Sequence, residues 1–168
     1  MMDKAKRNSS GVYGGECQCG RIAYEINGEP IVLYACHCTD CQRQSASAFG
    51  LSLWVHRDQF SLTKGEPCFW QTLAESGNSK LCAFCGVCGS RVYHAEDHQS
   101  GILSLKAGLL GGIRDLRPVA HLWLRSAQPW INIDGHQFLT FEKEPDDYDP
   151  LIKRWQQKER PLDLKNLD

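Results

Sequence analysis

Apolar and polar residues alternate along much of this chain. Ile22, Tyr24 and Ile26 interleave with Arg21, Ala23 and Glu25, the pattern of a strand with one buried face. Phe49, Leu51, Leu53 and Val55 repeat the period of two. Short runs of β-like character follow at 59–63, 67–73, 80–84, 90–94, 102–106, 119–124 and 130–134, punctuated by Gly65, Gly77, Gly101, Gly111, Gly112 and Pro118. Many short strands between turn residues predict a mostly β architecture. Two segments read as helical. One is short, from Cys41 to Ala48. The other starts with Asp149 as N-cap and Pro150 at the first helical position. It puts Leu151, Ile152 and Trp155 on one face, and Pro161 ends it. Residues 1–14 lack either period and read as a flexible arm. Residues 15–168 read as one domain with no internal repeat.

Composition narrows the picture. A chain of 168 residues can bury a core without cross-links. Its 19 basic and 20 acidic side chains nearly cancel, which argues against a nucleic-acid partner, since phosphate binding rests on clustered Lys and Arg. No stretch approaches the roughly 20 apolar residues that span a bilayer; the most apolar region, 101–112, is interrupted by Ser104 and Lys106. The opening residues MMDKAKRNSSGVYGG carry positive charge with no apolar run behind it, unlike a secretory leader. The expected compartment is the cytoplasm.

The nine cysteines change the reading most. Reduced thiols at close spacing point to metal binding or catalysis rather than to disulfides. Eight fall into three groups: Cys17 and Cys19; Cys36, Cys38 and Cys41; Cys82, Cys85 and Cys88; Cys68 stands apart. Zinc takes four ligands in a tetrahedron, and two thiolates from one tight turn can reach one ion. Cys17-Gln18-Cys19-Gly20 and Cys85-Gly86-Val87-Cys88-Gly89 are such turns, each followed by glycine. The segment Cys36-His37-Cys38-Thr39-Asp40-Cys41 can hold an ion from three sides and leave the fourth free. Spacing alone does not force the grouping: Cys38 and Cys41 with Cys85 and Cys88 would also make a four-thiolate site.

Gly15-Glu16-Cys17-Gln18-Cys19-Gly20-Arg21-Ile22-Ala23-Tyr24, Cys36-His37-Cys38-Thr39-Asp40-Cys41 and Phe84-Cys85-Gly86-Val87-Cys88-Gly89-Ser90 together resemble the glutathione-dependent formaldehyde-activating enzyme family, which includes centromere protein V-like proteins. Ala107-Gly108-Leu109, Pro118, His121 and Pro129-Trp130 extend the likeness, over residues 13 to 140. Ala46 stands where many relatives carry glycine, and Gly111-Gly112 replaces an acidic turn. The resemblance implies a β-tent fold of coiled antiparallel sheets around a structural zinc, with a short C-terminal helix. It implies that Cys17, Cys19, Cys85 and Cys88 hold that ion. It also implies that Cys36, Cys38 and Cys41 hold a second, labile, catalytic zinc. The activity implied is that of a carbon–sulfur lyase of the S-(hydroxymethyl)glutathione synthase type, whose partners are glutathione, or a similar small thiol, and formaldehyde. The alternative is a non-catalytic zinc module for protein interaction.

Other residues carry two readings each. His37 is either a hydrogen-bonding partner of the site or a solvated turn histidine. His121 lines the site or is a satisfied strand histidine. His56, His94, His98 and His136 read as surface. Cys82 is an alternative ligand or a buried thiol, and Cys68 a plain thiol. Trp130 walls a pocket or sits in the core. Arg43, Arg91 and Arg125 hold substrate carboxylates or are solvated charges. The acidic run from Glu142 to Asp149 reads as a solvated linker.

Overall fold

Residues 12–157 are described by a computed structural model; the arm over residues 1–11 and the stop at Pro161 lie outside the described residues. The elements in chain order are β1 (Val12–Glu16), β2 (Ala23–Asn27), β3 (Val32–Cys36), α1 (Thr39–Ser45), β4 (Gly50–His56), β5 (Phe60–Lys64), β6 (Cys68–Leu73), β7 (Ser79–Phe84), β8 (Arg91–Ala95), β9 (Ile102–Lys106), β10 (Ala120–Leu122), β11 (Leu139–Thr140) and α2 (Asp149–Gln156), with short 3-10 turns between them. The architecture is mostly β, with these strands in two sheets. One runs β1-β2-β5 and the other β11-β10-β3-β4-β9-β8-β7-β6. All pairings are antiparallel except those of β10, which lies parallel to both β3 and β11.

β2 shows why alternation was legible. Tyr24 and Ile26 are buried while Glu25 and Asn27 face solvent, so a slip of one residue would exchange core and surface. β3 is the opposite case, with all five residues buried. A strand covered on both faces has no polar alternation to display, and the sequence pattern missed it.

Two clusters of buried side chains form the core. The first joins Tyr24 and Ile26 of the small sheet to Leu53, Val55, Leu103 and Leu105 of the large one. The second joins Val32 and Tyr34 to Val119, Leu122, Trp123 and Leu151 of α2. Trp155 donates its indole N–H to the Pro30 carbonyl at 2.9 Å and fixes α2 over the strand that follows.

Several boundaries move. β1 begins at Val12, so residues 12–14 are strand, not arm. α1 starts at Thr39 and stops at Ser45, because Ala46 turns left-handed (φ 47°) and its N–H returns to the Arg43 and Gln42 carbonyls. Asp149 is the first residue of α2, with Tyr148 as its cap. Residues 130–134 form no strand: Asn132 and Asp134 are exposed, and the sheet edge is taken by β11 instead.

Candidate metal centres

The first centre is built from two turns far apart in sequence. Residues 17–20 close β1 onto β2, with the Gly20 N–H on the Cys17 carbonyl and the Cys17 N–H on the Ile22 carbonyl, both at 2.9 Å. The Ile22 N–H also points at Cys17 Sγ, 3.2 Å away. Residues 85–90 close β7 onto β8 in the same way, with the Gly89 N–H on the Cys85 carbonyl at 2.9 Å. Gly20 (φ 67°) and Gly89 (φ 72°) take left-handed conformations that cost a residue with a Cβ. The turns bring the sulfurs of Cys17, Cys19, Cys85 and Cys88 within 4.8 Å of one another. Cys17 and Cys19 sulfurs lie 3.6 Å apart, and Cys19 and Cys85 sulfurs 3.7 Å apart. A tetrahedron with Zn–S of about 2.3 Å has edges of about 3.8 Å. Both the donor type and the spacing therefore fit zinc. Ser90 beside Cys88 pulls that thiol down to about 5, which favours the thiolate form a metal needs.

The second centre is local. Cys36 ends β3, Cys38 caps α1, and Cys41 lies in its first turn. The Cys41 N–H points at Cys38 Sγ, 3.4 Å away. The three sulfurs again lie within 4.8 Å of one another, and all three residues are buried. The Cys36 and Cys38 thiols hold the Cys41 thiol well below its usual range, helped by the cations of Lys106 and Lys80. Gly50 is packed against Cys41: a Cβ there would lie 3.4 Å from the Cys41 Cβ. Thiolate donors at this spacing also fit zinc, but with three ligands rather than four.

The loop carrying these cysteines is braced from behind. His37 is fully buried, and its Nε2 shares a hydrogen bond with His121 Nδ1 at 2.9 Å. Burial lowers the pKa of both rings, His121 to about 4. The His37 N–H donates to the Leu122 carbonyl. The His37 carbonyl accepts from Gln42 Nε2 at 2.7 Å and from Ser126 Oγ at 3.1 Å. His37 is thus no solvated turn residue, and His121 is a satisfied strand histidine that packs against Phe49 and Phe138.

A cavity of about 500 Å³ opens beside Cys36, Cys38 and Cys41, within the range that takes small ligands. Tyr34, Trp54 and Tyr148 form an aromatic wall, with Trp54 and Tyr148 centroids 4.4 Å apart. Its polar lining includes Ser52, Lys80, His94, Ser104, Glu96 and Glu144. Lys80 is buried, and its ammonium sits 3.7 Å from the Asp40 carboxylate.

Periodicity could not find most of these lining residues, because they are brought together across strands. His94 is a correction: its Nδ1 is buried, and the residue belongs to the cavity, not the surface. The acidic run from Glu142 is no plain linker either, since Glu144 and Tyr148 line the cavity. His56, His98 and His136 are exposed. Cys82 is buried outside both sulfur groups and receives a hydrogen bond from Gln44 Nε2 at 3.7 Å; Cys68 is exposed. Trp130 is 72% exposed and walls nothing. Arg43 is exposed and Arg125 pairs with Glu75. Arg91 is partly buried, with Nε and Nη2 lacking hydrogen-bond partners among the described residues. None of the three arginines lines the cavity.

The glutathione-dependent formaldehyde-activating enzyme family matches residues 12–126. The match includes the seven cysteines of the two sulfur clusters but stops before Pro129 and Trp130. A crystal structure of a Rhodobacter sphaeroides protein is similar at 18% identity, covering 62% of this chain and 91% of that one, with a TM-score of 0.48. No curated protein matches the chain.

Proposed function

The chain belongs to the glutathione-dependent formaldehyde-activating enzyme family, and from that premise we propose that it is a zinc-dependent carbon–sulfur lyase of the S-(hydroxymethyl)glutathione synthase type. One observation carries this reading: three buried sulfurs within 4.8 Å of one another form part of the wall of a ligand-sized cavity. Cys17, Cys19, Cys85 and Cys88 would hold a structural ion, and Cys36, Cys38 and Cys41 a catalytic one. Zinc held by Cys36, Cys38 and Cys41 would supply the Lewis acidity that lowers the pKa of an incoming thiol.

The rest of the chemistry belongs to the chain. The aromatic wall of Tyr34, Trp54 and Tyr148 excludes water from the reacting thiol. The Lys80 ammonium offsets the negative charge gathered at Cys41. The hydrogen-bonded brace at His37 fixes the loop, so the three sulfurs keep their spacing while ligands come and go. In the forward reaction a carbon–sulfur bond forms, the carbonyl π pair moves to oxygen, and that oxygen gains a proton as the thiol loses one. Three thiolates at Cys36, Cys38 and Cys41 would leave a bound zinc a weaker Lewis acid, which would suit thiol activation better than hydrolysis of an amide or ester.

The test is exchange NMR on glutathione and formaldehyde with zinc-loaded protein. Interconversion with the hydroxymethyl adduct should accelerate over the spontaneous rate, and Cys38→Ser should abolish the gain. Fully metallated protein that leaves the rate unchanged would refute the enzyme.

A second reading, a non-catalytic zinc module for a protein partner, draws on the edge strand β6, where Phe69, Trp70 and Leu73 are 45%, 53% and 70% exposed. Metal counting separates the two. The enzyme should carry a second ion that mild chelation removes, whereas the module should carry one tightly held ion. All nine cysteines are unlinked, and no helix among the described residues is long and apolar enough to cross a membrane. Both features suit the reducing cytosol, where we place the protein.

A further inference from the structure

Two cations lie under the second centre with no carboxylate to balance them. α1 rests across one face of the large sheet. Its first turn meets β4, where a Cβ at Gly50 would come within 3.7 Å of Cys41 Sγ. Its far end reaches β7, where Gln44 Nε2 lies 3.7 Å from Cys82 Sγ. β9 and β8 run between these two footholds.

Each of those strands sends a cation to the face under α1. Lys106 pairs with Ser52 across β4 and β9. It follows Ser104 by two residues, so it shares the side on which Ser52 and Ser104 line the cavity. In β8 the pairing slips beside Ala83 and Phe84. The slip lets Val92 and Tyr93 both join the core and returns Arg91 to the side of His94.

Neither cation has an acidic partner. Lys106 and Arg91 make no ion pair among the described residues. Arg91 Nε and Nη2 are buried without a hydrogen-bond partner among them. The negative groups that act on the pair are sulfurs: Cys41 and Cys36 on Lys106, Cys82 and Cys41 on Arg91. Lys80, the other cation near Cys41, is already paired with Asp40. His94 stands among all three cations and is kept neutral by its burial. Burial pulls the Lys106 ammonium down to about 8, so it is still charged at pH 7. Taking a cation out of water without an anion is costly, so two on one face call for negative charge nearby. Three thiolates around a divalent ion leave one net negative charge, and a thiolate entering the site makes it two. Lys106 and Arg91 supply two positive charges, which match the site once a thiolate has entered.

Resting on the thiol site proposed above, we propose that Lys106 and Arg91 are positioning residues for the substrate: from beneath Cys41 their charges favour the thiolate over any neutral ligand of the same shape. They touch no ligand, since neither lines the cavity. Their charge suits an anionic thiol such as glutathione.

The test compares glutathione with S-methylglutathione, which keeps the peptide and loses the ionisable thiol. Both are titrated calorimetrically into the zinc-loaded protein at pH 7. Glutathione should bind the parent more tightly. Lys106→Met should cut the ratio of the two affinities about tenfold, the effect of one nearby opposite charge, by weakening glutathione alone. Lys106→Arg should restore most of the ratio, and Arg91→Met should lower it in the same direction. A merely structural role would weaken both ligands together and leave the ratio where it was. After mild chelation has emptied the second centre, Lys106→Met should melt no lower than the parent, because it removes an unpaired cation. An unchanged ratio in Lys106→Met, or a lower melting midpoint in that emptied state, would overturn the counter-charge role and leave the thiol site standing. A parent protein that binds the two peptides equally well would overturn both.

Discussion

The two cysteine centres use the same ligand atom and differ in almost everything else. Cys17, Cys19, Cys85 and Cys88 join turns 66 residues apart, as the Cys19–Cys85 contact shows, and Cys17 and Cys85 belong to the core between the two sheets. Cys36, Cys38 and Cys41 come from six consecutive residues and belong to the separate core under α2. In the first centre Cys19 is exposed and Cys88 half-buried, yet four sulfurs meet, enough to close a tetrahedron around one ion. In the second every sulfur is buried, but only three donors meet, and a cavity lies beside them. On the proposed reading, exposure to solvent does not mark the reactive centre; donor count and the neighbouring cavity do. On the same reading, the centre that joins distant segments would contribute to folding, whereas the centre made by one loop could be emptied without unfolding the sheets.

The sharpest way to break this contrast is Cys85→Ser. Structural zinc in small domains is worth about 10–16 kcal/mol, as much as the whole stability of an ordinary domain at about 5–15 kcal/mol. The variant should lose its near-UV circular dichroism and its cooperative thermal transition. Cys38→Ser is the counterpart. It should keep the transition, with a midpoint within about 5 °C of the parent, while the catalytic gain in the exchange experiment falls by about 100-fold or more. A Cys38→Ser protein that unfolds would show that both centres are structural.

A smaller effect concerns acid stability on the cavity side. His94 is buried with its pKa held below the ordinary 6.5, so it stays neutral in the folded protein while the unfolded chain takes up a proton. Stability should therefore fall as the pH drops below 6.5, by at most one proton's worth, about 1.4 kcal/mol per pH unit. His94→Gln should have a shallower fall of melting midpoint between pH 7 and 5.5; an identical pH profile would show that His94 does not titrate as described.

The smallest effect separates the turns. The first centre places glycine at its left-handed positions, Gly20 and Gly89, whereas the loop of the second ends on Ala46 at φ 47°. Ala46→Gly should relieve the Cβ strain and raise stability by up to about 1 kcal/mol, a few degrees in the melting midpoint. A lowered midpoint would mean that the alanine methyl is held by contacts worth more than the strain.

Alternation of apolar side chains made β2 legible, because it buries one face, and a period of two is written directly into such a strand. The tight Cys-x-Cys and Cys-x-x-Cys turns were legible for a similar local reason: two thiols and a glycine within five residues can only be read together. β3 escaped because burial on both faces erases the alternation, and β11 because two residues are too few to display a period. The sequence by itself determined the strand-rich class and the separate groups of thiols. Which turns share an ion, and that His94, Ser104, Lys80 and Glu144 line one cavity with Cys36, Cys38 and Cys41, was decided only by the tertiary structure. Pairing between strands brings together side chains that no local spacing relates, and that register is set by burial of the whole core rather than by any one segment.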